Sequence, residues 1–169
     1  MSTPEIVVFE YDPRWPERYE EERERILAAL GTRALAVEHF GSTAVPGLGA
    51  KPIIDIMVGV NELPDGEACL QPLRALGYEV IRARRFTDRY FMQRGGWRAR
   101  THHLHIMEYE GKTWVRLLRL RDCLRSNPDL ARQYLEVKRQ AAGQPGVSRR
   151  DYNMAKATFL DAMLGDAKT

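Results

Sequence analysis

The sequence predicts an α+β protein, a mixed β-sheet followed by a helical C-terminal part. Three observations carry this. Short runs rich in β-branched and aromatic residues recur between residues 35 and 110, punctuated by glycine and proline. One of them, 52-PIIDIMVGV-60, is almost unbroken in apolar residues, the pattern of a strand covered on both faces. From Thr113 onward the apolar residues fall at helical spacing.

The elements follow in order. The β-branched and aromatic stretch ending at Tyr11 reads as a short strand. Residues 12–31 read as a helix, with Asp12 as N-cap, Pro13 at the first helical position and Gly31 at its end. Its crowded charge assigns it to the surface. 35-LAVEHF-40 reads as a strand closed by Gly41-Ser42, and 52–60 is the next strand. 66-GEACLQPLRALG-77 reads as a helix in which Pro72 sits early or breaks the run. 78-YEVIR-82, 89-RYFMQR-94 and 102-HHLHIMEYE-110 read as a three-stranded meander with Gly95-Gly96 at its last turn. Helices are expected at 114–127 and, after Asn127 as N-cap, at 128–142. A last helix begins at Ser148, where Ser148 and Asp151 have capping-box spacing.

At 169 residues the chain corresponds to about one domain, taken as 1–169. A net charge of +3 is compatible with a phosphate-bearing ligand without demanding one. Cys69 and Cys123 lie far apart, which excludes a disulfide framework and a four-cysteine zinc site. The N-terminus has no basic segment leading into an apolar one. No apolar run approaches the roughly 20 residues of a membrane span. The expectation is a cytoplasmic protein that does not engage a membrane.

Function gathers around 40-FGSTAVPGLGAKPIIDIMV-58. Asp55 sits inside an apolar strand, where a carboxylate costs several kcal/mol unless it is hydrogen-bonded, paired or metal-bound. A plain reading makes it a cap on a neighbouring loop. The loop itself favours another. Gly41, Ser42 and Thr43 follow a strand directly, small residues let backbone N–H groups approach a phosphate, and Lys51 adds a point charge.

The order strand, Gly-Ser, then Asp55 in the next strand resembles the nucleotidyltransferase (DNA polymerase β-like) superfamily. GSTAVPGLGAKPIIDI resembles the signature of the GrpB family, also called UPF0157. 99-ARTHHLHIME-108, 121-RDCLRSNPDLARQYLEVK-138 and 152-YNMAKATFL-160 resemble that family's later blocks. The resemblance implies a nucleotidyltransferase-like mixed sheet flanked by helices. It also implies a phosphate or nucleotide site at Gly41, Ser42, Thr43 and Lys51, with Asp55 as catalytic residue and ligand of a divalent metal (Mg, Mn or Zn). One departure matters. Active superfamily members carry two carboxylates one residue apart on this strand, and here the second position is Met57, a poor ligand for a hard cation.

A replacement donor is sought on the histidine strand. His103 and His105 share one strand face, and Glu108 falls on the other. The expectation is that Asp55, His103 and His105 line one concave site with Ser42 at its rim, a donor set better suited to Zn, Mn or Fe than to Mg. Glu108 is the reserve. Arg82, Arg84, Arg85, Arg89, Arg94, Arg98 and Arg100 form a basic ribbon with interleaved aromatics. Arg89 is taken as a phosphate contact from it, and nucleic-acid binding as the less favoured use. Tyr134/Lys138 and Tyr152/Lys156 each share a helix face, and Lys156 is a further phosphate candidate. Three functions stand open: metal-dependent nucleotidyl transfer, a non-catalytic nucleotide- or metabolite-binding module, and an RNA-binding or scaffold protein.

Overall fold

The computed structural model describes residues 6–81, 86–96 and 99–166. Five strands form one sheet: β1 (Ala36–Phe40), β2 (Ile54–Val60), β3 (Tyr78–Val80), β4 (Arg89–Arg94) and β5 (His102–Glu108), in the order β1-β2-β5-β4-β3. β3, β4 and β5 are the meander read from the sequence, and β1 pairs antiparallel with β2. The sheet is mixed because β5 runs parallel to β2, setting Asp55 opposite His103 and Met57 opposite His105.

The helices are α1 (Trp15–Leu30), α2 (Glu67–Ala75), α3 (Lys112–Ser126), α4 (Pro128–Ala142) and α5 (Arg149–Asp166). α1 and α2 cover one face of the sheet. Trp15, Ile26, Leu30 and Leu73 meet Ile54, Ile56, Val58, Leu104 and Ile106 there in the main core. On the other face Trp114 of α3 packs with Phe40, Met57 and Met107. α4 and α5 close over Val45 and Leu48 of the β1–β2 connection, joined by Leu120, Leu124, Tyr134 and Met163. β2 is therefore covered on both faces, as its apolar run requires.

Several local expectations shift. Among the described residues before Tyr11, 6–10, the strand reading comes down to an isolated bridge, Phe9 with Ala50, joined by one pair of backbone bonds. α1 starts at Trp15 rather than at Pro13. Asp12 accepts from the Arg14 backbone N–H at 2.9 Å and is held by the Arg14 side chain, so the turn at 12–14 precedes the helix. Pro72 lies inside α2 without ending it. The Asn127 cap is as expected, its side chain accepting from Leu130 N at 3.2 Å. At α5 half of the capping box forms: Ser148 Oγ accepts from Asp151 N at 3.1 Å, but the Asp151 carboxylate accepts from the Ser148 hydroxyl instead of from a backbone N–H. Arg82, Arg84, Arg85, Trp97 and Arg98, part of the basic ribbon, lie outside the described residues.

Candidate functional site

β1 delivers the chain to Gly41, which adopts φ 73° and ψ −172°, a region that side-chain-bearing residues enter only under strain. A close approach enforces it. A Cβ at Gly41 would lie 2.6 Å from Asp55 Oδ2, so the carboxylate rests against the turn itself. Two arginines of α3 hold the turn from outside: Arg125 Nε donates to the Ala44 carbonyl at 2.7 Å, and Arg121 donates to the His39 carbonyl at 3.0 Å and to Glu38 at 2.8 Å.

Asp55 has a partner across the strand pair. Its Oδ1 lies 3.2 Å from His103 Nδ1, and its side chain keeps 27% exposure, so solvent reaches it. Burial alone would raise its carboxyl. The His103 hydrogen bond, with electrostatic contributions from His103, His105 and Lys156, outweighs that and holds it below the ordinary carboxylate range. Asp55 is ionised at neutral pH. His103 Nε2 is buried and has no hydrogen-bond partner among the described residues.

His105 shares the face but points its ring into an aromatic pocket, 4.8 Å from the Phe91 ring centroid and 5.2 Å from that of Phe40. Among the described residues no group of three His, Cys, Asp or Glu side chains is disposed to hold an ion. Met57 is fully buried beside Phe40, Met107 and Trp114, so the second carboxylate position is core. Glu108 is exposed at the far end of β5, opposite Val60, on the other parity. The donor set amounts to one carboxylate and the imidazole beside it, which does not fit a two-metal centre.

The cationic half of the site comes from the helices. Lys138 of α4, 1% exposed, donates from Nζ to Ser42 Oγ at 3.1 Å and to the Gly49 carbonyl, and its Nζ lies 4.9 Å from the Tyr134 ring centroid. Burial, assisted by the charges of Lys156 and Arg139, pulls its ammonium down to about 7. Lys51 and Lys156 lie over the buried Tyr152 ring, at 4.7 and 5.3 Å from its centroid. Gly41 and Asp55 thus meet at the turn, Lys138 reaches its Ser42 from α4, and Lys51 and Lys156 share the Tyr152 ring.

Thr43 and Arg89 go elsewhere. Thr43 is 1% exposed, with Oγ1 2.9 Å from His39 Nε2 on the α1 side of the sheet. Arg89 begins β4 opposite Met107, stacks on Phe86 at 4.3 Å and donates to Asp88 at 3.2 Å, toward the far end of β5 from His103. The sequence did not single out Lys138. Its signal was present in the Tyr134/Lys138 spacing of α4, but nothing in the sequence tells a buried lysine from an exposed one.

This topology, with a Gly-Ser turn leading into an acid-bearing strand, defines a nucleotidyltransferase-fold protein. Cid1 poly(U) polymerase, solved with Mg and 3′-dATP, matches with a TM-score of 0.60 over 88% of this chain and 49% of that one, and at 15% identity the likeness is one of fold. The GrpB protein family model matches residues 5–166, and the chain belongs to the GrpB family. The crystal structure of GrpB from Enterococcus faecalis is 33% identical with a TM-score of 0.83, covering 96% of this chain and all of that one (100%). A UPF0157 protein of Pseudomonas aeruginosa is 40% identical over 165 residues, 96% of this chain and 67% of that protein. One from Bacillus subtilis is 32% identical over 163 residues, and this chain spans about half of it (47%). A dephospho-CoA kinase of Mycolicibacterium paratuberculosis is 32% identical over 156 residues, 77% of this chain and 38% of that enzyme.

Proposed function

We propose that the chain binds a nucleotide or phosphorylated metabolite by a phosphate placed at the Gly41–Ser42 turn, between Lys51, Lys138 and Lys156. One observation carries the reading: Lys138 is a buried lysine whose Nζ reaches Ser42 without an acidic partner among the described residues. Uncompensated buried charge costs several kcal/mol, so such a group fits a site whose counter-charge is a ligand. Ser42 Oγ and the turn backbone provide polar contacts, and Asp55 beside the turn accepts from a ligand hydroxyl. With Met57 in the core, binding in this reading needs no two-metal centre.

Thermal-shift screening tests this with ATP, CTP, AMP, CoA, dephospho-CoA and inorganic phosphate, each with and without Mg²⁺. The CoA compounds belong in the panel because of the dephospho-CoA kinase relative. A ligand at 100 times its Kd stabilises by about 2.7 kcal/mol. Stabilisation that is lost in Ser42→Ala supports the reading. No shift with any of them removes it and leaves an interaction or scaffold role.

A second reading, transfer of a nucleotidyl or phosphoryl group to an acceptor, draws on the Asp55–His103 pair, an ionised carboxylate hydrogen-bonded to an imidazole at the turn. Labelled nucleoside triphosphates incubated with pooled small molecules and RNA test it. Absence of both label transfer and pyrophosphate release decides for binding alone.

A further inference from the structure

Lys138 approaches the turn from behind, through the packed side of α4, and its surroundings are unequal in charge. Arg139 and Tyr134 accompany it on α4, Lys156 and Tyr152 face it from α5, Lys51 comes from the β1–β2 connection and Asp55 from β2. The outer charges already have partners: Arg139 is paired with Glu10 and Asp55 with His103. Lys138 Nζ has two neutral acceptors, Ser42 Oγ and the Gly49 carbonyl, and no carboxylate within ion-pair distance among the described residues. A lysine so placed loses its proton readily, unlike an arginine.

We propose that a terminal phosphate enters this site together with one proton, which Lys138 takes up as the phosphate supplies its missing counter-charge. The inference rests on the phosphate-binding reading above and adds its proton linkage and its charge preference. The proton comes from solvent onto the Nζ lone pair, and no bond to phosphorus forms or breaks. Without ligand, the ammonium titrates near 7, lowered by burial and by the Lys156 and Arg139 charges. A bound phosphate raises it, because an opposite charge favours the charged form. Affinity is therefore full below the ligand-free value and falls by up to about tenfold for each pH unit above it, until the ligand-bound value is reached. A phosphomonoester end, doubly charged above its second ionisation near ~6, gains more from this than a phosphodiester or a carboxylate.

Isothermal titration of the full chain with ATP and, separately, CoA tests the inference. The measurements are made at pH 8 and pH 6, in two buffers of different ionisation enthalpy. At pH 8 both ligands are almost fully ionised, and the expected result is uptake approaching one proton per ligand bound, declining at pH 6. Lys138→Met should bind more weakly and show no uptake at pH 8. Should that variant fail to fold by circular dichroism, Lys138→Arg, whose charge is fixed, should bind without uptake. Binding with the same enthalpy in both buffers at pH 8 overturns the proton linkage and leaves phosphate binding standing, as does uptake that persists in the variants. Absence of binding at either pH removes the phosphate reading and this inference with it.

Discussion

Replacing Gly41 with alanine perturbs the turn where the site is most tightly built. A Cβ there would lie 2.6 Å from Asp55 Oδ2 and 3.2 Å from Asp55 Cγ, at a backbone conformation of φ 73° and ψ −172°. The strain alone costs ~1–3 kcal/mol. The carboxylate must also swing away from His103, forfeiting a charge-assisted hydrogen bond of about 1.5–3 kcal/mol. The expected loss is about 3–5 kcal/mol, read from urea denaturation midpoints at pH 7. Gly47→Ala is the control: φ is 79° but nothing lies within 4 Å of the added Cβ, so strain alone applies, about 1–2 kcal/mol. In an Asp55→Ala background the Gly41→Ala cost should shrink towards the strain alone. The reasoning is refuted if Gly41→Ala costs no more than Gly47→Ala, or if its cost is the same with and without the Asp55 carboxylate.

The remaining predictions concern the same sheet. His39 and His102 are both buried and held neutral, each drawn down to about 4, first by burial and, for His102, also by the Arg94 charge. The unfolded chain binds these protons below about 6.5 and the folded chain does not, so stability is full above that value and declines as pH falls towards 4. The shift corresponds to about 3 kcal/mol per histidine, and urea midpoints that stay level from pH 6.5 to 4 contradict it. Met57→Asp puts a carboxylate among Phe40, Met107 and Trp114 and should destabilise by more than about 3 kcal/mol. A folded variant newly stabilised by Mg²⁺ would show instead that this face accepts the carboxylate pair. His103→Phe removes the hydrogen bond that opposes burial at Asp55, so the Asp55 carboxyl should titrate higher by carbon NMR, and an unchanged titration sinks the pairing.

How much of this was legible depends on distance along the chain. β2 announced its burial by its apolar run, and the Asn127 cap and the helix after it by local chemistry. Strand parity put Asp55, His103 and His105 on one face, because that follows once β2 and β5 are neighbours. Parity does not say where a ring points. His105 turns into Phe40 and Phe91, and Thr43 turns inward to His39, because the room beside each is set by residues far away in sequence. Lys138 was illegible for the same reason. Its burial depends on α4 and α5 closing over the turn, a packing event that the spacing of Tyr134 and Lys138 does not encode. The bridge at Phe9 misled in the opposite sense, since β-propensity describes a fit to neighbours that this segment mostly lacks.

The central claim is the location of a phosphate ligand, and amide chemical-shift mapping on titration with ATP or CoA tests it most directly. The account expects the largest perturbations at Gly41, Ser42 and Lys51, with responses at Lys138 and Lys156 in α4 and α5, and their loss in Ser42→Ala. Perturbations confined to β4 around Arg89 and Arg94, with the Gly41–Ser42 turn silent, would contradict it and return the basic ribbon as the binding surface.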